Sequence, residues 1–215
     1  DNIVLIVSNN FLLDAVLYLY EFKKNNTKYD NIHTYIINKE TQSSELTNAL
    51  NKLVLSKNIK NIKYNLKEFI ISKDNIMKDT VIIDYNIMDN NTNNNNILCM
   101  LYRSLKYLNK NGDVVIYLRF LQSKYHYDIF NYIGTFFNKW DYLLKPSVTN
   151  SINYFFVFKK YKGISNEQYA ELYGIIKGRN KVPITDEIEF LKFKNFLLES
   201  EATMLNNYNI IEHIL

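Results

Sequence analysis

Short apolar runs alternate with amphipathic segments along most of this 215-residue chain. Apolar residues at helical spacing predict helices at 11–22, 44–55, 97–108 and 125–137. The apolar runs predict strands at 3–7, 33–38, 59–64, 80–85, 114–118, 142–144 and 154–158. Strands and helices in alternation indicate βαβ units. The pattern therefore predicts an α/β fold with a mainly parallel sheet and helices on both faces.

The strand predicted at 114–118 is the clearest element of this pattern. Its residues are apolar without alternation, which is typical of a strand covered on both faces. Gly112 precedes it and is one of only five glycines. We expect Gly112 to provide the left-handed backbone position between a helix and this strand. The connection between the last two strands, Lys145 to Ser151, is too short for a crossover, so one late antiparallel strand is predicted.

Past Gly163 the pattern contains helices and no strand. The helices are predicted at 166–177, 186–205 and 210–215. We therefore expect a sheet domain at 1–163 and a helical C-terminal extension at 164–215. The long helix has an apolar stripe that we expect to pack on the chain's own sheet. The stripe is wide enough to contact a partner protein as well. The stripe consists of Ile188, Leu191, Phe193, Phe196, Leu197 and Met204.

The composition indicates which broad classes of protein this chain can belong to. The hydrophobic content of 47% allows a large core, and the net charge of +4 fits an anionic partner or an ordinary surface. Cys99 is the sole cysteine, which excludes an internal disulfide and indicates a reducing, cytoplasmic compartment. No apolar run has the length of a membrane span. The start at Asp1 in an apolar strand indicates a domain of a longer protein, and the Asn, Ile, Lys and Tyr bias is typical of AT-rich genomes such as those of large DNA viruses.

Asp84 is the first candidate for chemistry, because it ends the apolar run of the strand predicted at 80–85. Parallel sheets bind ligands at the carboxyl ends of their strands, so Asp84 is either a catalytic carboxylate or a solvated strand end. The histidines His33, His126 and His213 share no metal-ligand spacing, and Cys99 has no evident base. We predict neither a metal site nor a cysteine nucleophile.

The segment from Asp79 to Gly163 resembles the FtsJ/RrmJ family of ribose 2′-O-methyltransferases. Members of that family contain a D-x-V-x-S-D strand, a glycine turn and a K-P segment that leads to a tyrosine. Here Asp79-Thr80-Val81-Ile82-Ile83-Asp84 has the strand's spacing, Asn111-Gly112 stands at the turn, and Lys145-Pro146 begins the segment before Tyr154. The resemblance implies a Rossmann-like sheet of the class I S-adenosylmethionine-dependent methyltransferases.

The family's catalytic tetrad, Lys-Asp-Lys-Glu, is matched only in part. The resemblance puts Asp84 at the Asp position, Tyr117 at the second Lys position and Asn153 at the Glu position, and the first Lys would precede Asp1. Arg119 faces the same side of a strand as Tyr117 and is the candidate cation. Arginine does not exchange a proton as lysine does, and simpler interpretations of Arg119 are an RNA-phosphate contact or a surface cation.

The resemblance also implies a cofactor, S-adenosylmethionine, if the domain is active. The implied cofactor residues are Ser8, Asn9 and Asn10 after the first strand, Asn38 after the second, and Asp84. The family's first turn is glycine-rich because the backbone approaches the cofactor closely. The turn from Ile6 to Phe11 contains no glycine, and Asn38 stands where the family has an acidic residue, with Glu40 two residues later.

Cations near the last strand are candidates for contacts to RNA phosphates. An ordinary solvated surface in a lysine-rich chain is the alternative. The cations are Lys145, Lys159, Lys160 and Lys162, with Lys177, Arg179 and Lys181 beyond them, and the tyrosines interleaved with them as candidates for base stacking are Tyr142, Tyr154 and Tyr161.

Three hypotheses about function follow from these residues. The first is a degenerate, catalytically inactive domain that acts as a structural or RNA-binding module in a larger RNA-processing protein, for example in viral mRNA capping. Its expected partners are RNA and other domains or subunits of that protein, in the cytoplasm, a viral factory or a virion. The second is an active mRNA-cap or rRNA ribose 2′-O-methyltransferase. The third is an ordinary nucleotide-binding Rossmann domain or an assembly module without a ligand. The absence of a G-x-G-x-x-G motif after the first strand argues against dinucleotide binding.

Overall fold

The computed structural model describes residues 2–7, 31–36, 59–63, 77–84, 95–118, 123–146 and 152–214. Within these, the side chains of 77–83, 97–117, 123–143 and 154–206 are described. The strands form one seven-stranded sheet in the order β3-β2-β1-β4-β5-β7-β6. They are β1 (Asn2–Val7), β2 (Asn31–Ile36), β3 (Ile59–Lys63), β4 (Lys78–Asp84), β5 (Leu108–Leu118), β6 (Phe137–Pro146) and β7 (Ile152–Tyr161).

Within this sheet β7 runs against the other strands. The pairs β1–β2, β1–β4, β2–β3 and β4–β5 are parallel, and β7 is antiparallel to both β5 and β6. The predicted α/β sheet with one late antiparallel strand is therefore confirmed. β6 and β7 are longer than predicted, because exposed polar residues such as Lys139, Asp141 and Lys159 continue the pairing beyond the apolar runs.

Among the described residues, the main hydrophobic cluster lies against one face of the sheet. Val81 and Ile83 of β4 pair with Val114 and Ile116 of β5, and these pair in turn with β7. Direct partners share a face, because successive residues of a strand point to opposite sides. Burial of six such side chains contributes roughly 10–15 kcal/mol to folding. The six are Val81, Ile83, Val114, Ile116, Phe156 and Phe158.

The helices in the described part of the chain are α1 (Asn95–Tyr107), α2 (Lys124–Gly134), α3 (Asn166–Ile176) and α4 (Glu187–Ile214). The ring of Phe130 in α2 is 4.6 Å from that of Phe156 in the sheet, measured between centroids. α3 packs on α1, where the Tyr169 hydroxyl donates a hydrogen bond of 2.6 Å to the carbonyl of Tyr102. Leu172 of α3 and Leu197 of α4 belong to the same hydrophobic core as the strands.

Helix boundaries differ from the predictions by more than two residues in two places. Phe137 begins β6 instead of ending α2. The separate helix predicted at 210–215 is continuous with α4, since neither glycine nor proline interrupts the chain between Glu187 and Ile214. The helices predicted at 11–22 and 44–55 lie outside the described residues.

The apolar stripe predicted for the long helix divides between two faces of α4. Phe193, Leu197 and Met204 pack on the core, as predicted, and the ring centroid of Phe193 is 5.2 Å from that of Tyr142 in β6. Ile188 and Leu191 are exposed on the other face. Phe196 is also exposed, but its ring centroid is 5.9 Å from that of Tyr142, so it lies at the border of the packed face.

Gly112 is required by a close approach of backbone atoms. A Cβ at this position would lie 2.8 Å from the carbonyl oxygen of Asp79 and 2.9 Å from that of Asn109. The residue with left-handed backbone is Asn111, whose φ is 66°. The prediction that Gly112 has this conformation was wrong, because asparagine tolerates the left-handed region better than most residues and occupies it here.

Asp128 joins α2 to the segment that leads into α4. Its carboxylate accepts hydrogen bonds from Lys124 Nζ at 3.1 and 3.2 Å, and from the backbone N–H and hydroxyl of Thr185 at 2.9 and 2.6 Å. Lys124 Nζ also donates to the Thr185 carbonyl at 2.8 Å. The Asp128 side chain is only 9% exposed, so charge-assisted hydrogen bonds hold the C-terminal segment in place.

We expect Gly112→Ala to lower the free energy of unfolding by about 1–3 kcal/mol, because the new methyl group meets two backbone oxygens. Urea-induced unfolding measures this change. Asn111→Gly is the matched control, and we expect unchanged or slightly raised stability because glycine adopts a positive φ without strain. Equal stability of Gly112→Ala and the parent chain would contradict the close approach.

We expect Asp128→Ala to lower the free energy of unfolding by about 1–3 kcal/mol, because it removes the buried carboxylate that accepts from the half-buried donors of Lys124 and Thr185. Limited proteolysis should then cleave the 177–186 segment faster. Asp141→Ala is the control, since this exposed carboxylate pairs with Lys139 at 2.9 Å, and its loss costs less than about 1 kcal/mol. Similar losses for both variants would argue against an anchoring role of Asp128.

Candidate functional site

The carboxyl ends of β1, β2 and β4 meet at one edge of the sheet, the carboxyl edge. β1 pairs Ile6 with Ile83 of β4 and Val7 with Ile36 of β2. Asp84, the last residue of β4, therefore lies beside the point where the chain leaves β1. Ligands of open parallel sheets bind at this edge. The position of Asp84 agrees with its predicted role, and the role itself stays a prediction.

The strands β5, β7 and β6 bring two more candidates to the carboxyl edge. Asp84 pairs with Tyr117, and Tyr117 with Phe155. Asn153 precedes Phe155 by two residues and pairs with Lys145. Alternate residues and direct partners share a face, so these positions lie on one face of the sheet. Strand spacing puts the backbones of Asp84 and Asn153 roughly 10–12 Å apart.

Tyr117 stands at this edge as a buried aromatic residue. It is 4% exposed, and its ring centroid is 5.0 Å from that of Phe155. A phenol has no positive charge in either protonation state. The residue at the lysine position of the resembled family is therefore part of the packing between β5 and β7.

The other candidates for catalysis and cofactor binding lie outside the described residues. They follow strand ends that are described: Val7, Ile36 and Leu118. For Asp84, Asn153 and Lys145 the backbone is described and the side chain is not. The candidates outside the described residues are Ser8, Asn9, Asn10, Asn38 and Arg119.

The lysines predicted to contact RNA lie at opposite edges of the sheet. Lys145 pairs with Asn153 at the carboxyl edge, whereas Lys159 pairs with Lys139 at the other end of β7, roughly 20 Å away. Lys160 and Lys162 follow Lys159 and are exposed. The four lysines do not form one surface, because the length of β7 separates Lys145 from the other three.

Two of the three tyrosines proposed for base stacking are core residues. Tyr154 and Tyr161 are buried, and burial raises the pKa of Tyr161 to about 12. Strict alternation along β7 would turn Lys160 towards the core. The left-handed backbone of Lys160, with φ of 58°, interrupts the alternation, so that Lys160 is exposed and Tyr161 is buried.

Four exposed lysines gather at the amino edge of the sheet, opposite Asp84. We call Lys110, Lys159, Lys160 and Lys162 the amino-edge lysines. A Cβ built on Gly163 would lie 3.5 Å from Lys110 Cε, which places Lys110 beside the end of β7. The backbone N–H of Lys160 donates to Asp113 Oδ1 at 2.8 Å and fixes the bulge. Lys110 was not predicted, because only the pairing of β5 with β7 brings it near the others.

Metal and thiol chemistry find no support in the described part of the chain. No group of three or more His, Cys, Asp or Glu residues suited to a metal ion occurs there. Burial lowers the pKa of His126, whose Nδ1 is 3.0 Å from Ser123 Oγ. Burial raises the pKa of the Cys99 thiol, which disfavours the reactive thiolate. None of the described helices is both long and apolar enough to span a membrane.

Several solved structures with a similar fold are methyltransferases. The CMeT domain of the citrinin polyketide synthase matches 76% of this chain with a TM-score of 0.53 and 7% identity, and this chain spans 47% of that structure. The N-methyltransferase NodS from Bradyrhizobium japonicum WM9 matches 75% of this chain, and 86% of its own length, with a TM-score of 0.50 and 6% identity. No family model and no curated protein sequence matches the chain. Likeness at such low identity shows the fold alone, which is the Rossmann-like fold of class I methyltransferases.

Proposed function

We propose that this chain is a catalytically inactive methyltransferase-like domain that binds RNA in RNA processing. The observation that supports the loss of activity most directly is the buried ring of Tyr117 at the carboxyl edge, beside the register position of Asp84. The amino-edge lysines support RNA binding, because they are exposed and lie together at the edge of the sheet opposite Asp84.

Methyl transfer to a ribose needs groups that stabilise negative charge on the attacking hydroxyl oxygen. Tyr117 and its packing against Phe155 provide an aromatic surface where the resembled family has a lysine. Asn153 provides a neutral amide in place of a carboxylate. Of the tetrad positions within this chain, Asp84 alone keeps the charge type of the family.

The residues after β1 and β2 also fit S-adenosylmethionine poorly. The strand order puts the ends of β1 and β2 side by side, yet the residues that follow β1 in the sequence, Ser8, Asn9 and Asn10, have side chains where the family has glycines. Asn38 offers an amide where a carboxylate would accept hydrogen bonds from the cofactor's ribose. The residues at both positions therefore do not fit the cofactor of the resembled family.

RNA binding by the amino-edge lysines requires little rearrangement. Exposed ammonium groups contact phosphates and release counterions without first leaving a buried site. Lys139 lies next to Lys159 in the sheet but pairs with Asp141 at 2.9 Å, so part of its charge is offset. The four amino-edge lysines thus provide exposed positive charge at this edge.

An active methyltransferase is the second candidate. The observation that favours it is the position of Asp84 at the carboxyl end of β4, next to β1. This is the edge where a cofactor and a substrate meet in sheets of this order.

We expect calorimetric titration with S-adenosylmethionine to show a dissociation constant weaker than about 1 mM, because the β1 turn lacks glycine. We also expect no methyl transfer to capped RNA. Micromolar binding together with methyl transfer would overturn the inactive domain. Asp84→Ala then decides the second candidate: loss of transfer makes Asp84 catalytic, and retained transfer removes it from the mechanism.

We expect the triple variant Lys159→Gln, Lys160→Gln and Lys162→Gln to weaken RNA binding at least about tenfold and to reduce the log–log salt slope by about two to three. The matched control replaces three other exposed cations by glutamine: Lys177, Arg179 and Lys181. We expect the control to bind nearly as well as the parent chain. Equal losses in both triples, or a flat salt dependence of the parent chain, would contradict binding through the amino edge.

A further inference from the structure

The C-terminal helix α4 has two apolar faces, and the fold uses one of them. Phe190 and Phe193 contact the ring of Tyr127 in α2, with centroids 5.5 and 4.6 Å apart. Leu197 and Met204 continue this face along the helix. The second face consists of apolar side chains that are 40% to 63% exposed: Ile188, Leu191, Leu198 and Leu205.

The exposed face repeats every seven residues. Leu191, Leu198 and Leu205 are seven residues apart, and three residues before each leucine stand Ile188, Asn195 and Ala202. These spacings correspond to the d and a positions of a coiled coil. All six residues are exposed, and α4 has room for three complete heptads, 188–208, within its 28 residues. The residues that pack on the sheet domain occupy c and f positions, on the other side of the helix.

We propose that α4 pairs with α4 of a second copy of this chain, in a parallel two-stranded coiled coil. This inference is independent of the function proposed above. It assigns the exposed heptad face to a self-association interface, with the two sheet domains on opposite outer sides of the helix pair.

The charges beside the heptad face are complementary to those of a second copy. In a parallel pair, a g residue faces the e residue five positions later in the other helix. Glu187 then faces Lys192 of the second copy, and Lys194 faces Glu199 of the second copy. All four side chains are exposed. Two-fold symmetry doubles these contacts, so the interface contains four attractive pairs.

Asn195 selects the parallel arrangement. In a parallel pair its amide faces the same amide of the second copy, and the two form hydrogen bonds with each other. In an antiparallel pair with a and d layers in register, Asn195 would face Leu198, and its amide would be buried without a partner. Isoleucine at an a position and leucine at the d positions also favour a coiled coil of two helices over one of three or four.

Sedimentation equilibrium of the 215-residue chain, from about 1 to about 200 μM, tests the proposal over the range of weak interfaces. We expect a monomer–dimer equilibrium. Leu198→Glu should raise the dimer dissociation constant at least about 100-fold, because it removes apolar burial from both copies and puts two like charges in the seam.

Phe196→Glu is the matched control, since Phe196 is an exposed apolar residue of the same helix outside the heptad face. We expect it to change the dissociation constant less than about threefold. Circular dichroism checks that both variants keep their helices. A chain that stays monomeric at the highest concentration, or a control as damaging as Leu198→Glu, would overturn the proposal.

A charge exchange tests the parallel direction. Glu187→Lys and Lys192→Glu should each weaken the dimer about fivefold, because each replaces two attractive pairs by repulsive ones. The double variant should restore the affinity, since the exchanged charges again face each other in the parallel pair. In an antiparallel pair Glu187 and Lys192 do not meet, so a double variant without recovery would overturn the parallel arrangement.

Discussion

The pairing of β5 with β4 on one side and β7 on the other fixes most of the described structure. A buried strand must satisfy its backbone N–H and C=O groups in both neighbours. A shift of one residue would also exchange the two faces of β5. Ile116 would leave the core and Tyr117 would enter it, and both neighbouring strands would lose their register. The register that buries the core is therefore the same register that puts Tyr117 next to Asp84.

This constraint explains which features could be predicted from the sequence. The strands follow from continuous apolar runs, and the late antiparallel strand follows from a connection too short for a crossover. Local backbone geometry was harder to predict from the sequence than the strands were. Asn111 and Lys160 both have left-handed backbones, and of the two residue types only asparagine tolerates this conformation well. At Lys160 the consequence is large, because a single bulge decides whether a lysine or Tyr161 is buried.

The positions of the candidate residues in the fold were predicted in part for a related reason. Asp84 could be placed because the end of a strand is visible in the sequence. The grouping of Lys145 with Lys159 failed because residues close in sequence lie at opposite ends of one long strand. Lys110 was missed because its proximity to the end of β7 depends on pairing between distant segments. Similarly, the apolar residues of α4 were interpreted as one stripe, and their division into two faces became visible only with the sheet domain beside the helix.

β6 ends the sheet on one side, and no described strand lies beyond it. Such an edge is a template on which another chain can add a strand. Lys139 and Asp141 form an exposed ion pair on β6, and Pro146 is its last residue. Charged side chains and proline hinder strand addition. The residues that interrupted the apolar pattern of β6, and so concealed its length in the sequence, thus protect a chain rich in tyrosine and phenylalanine from edge-to-edge aggregation.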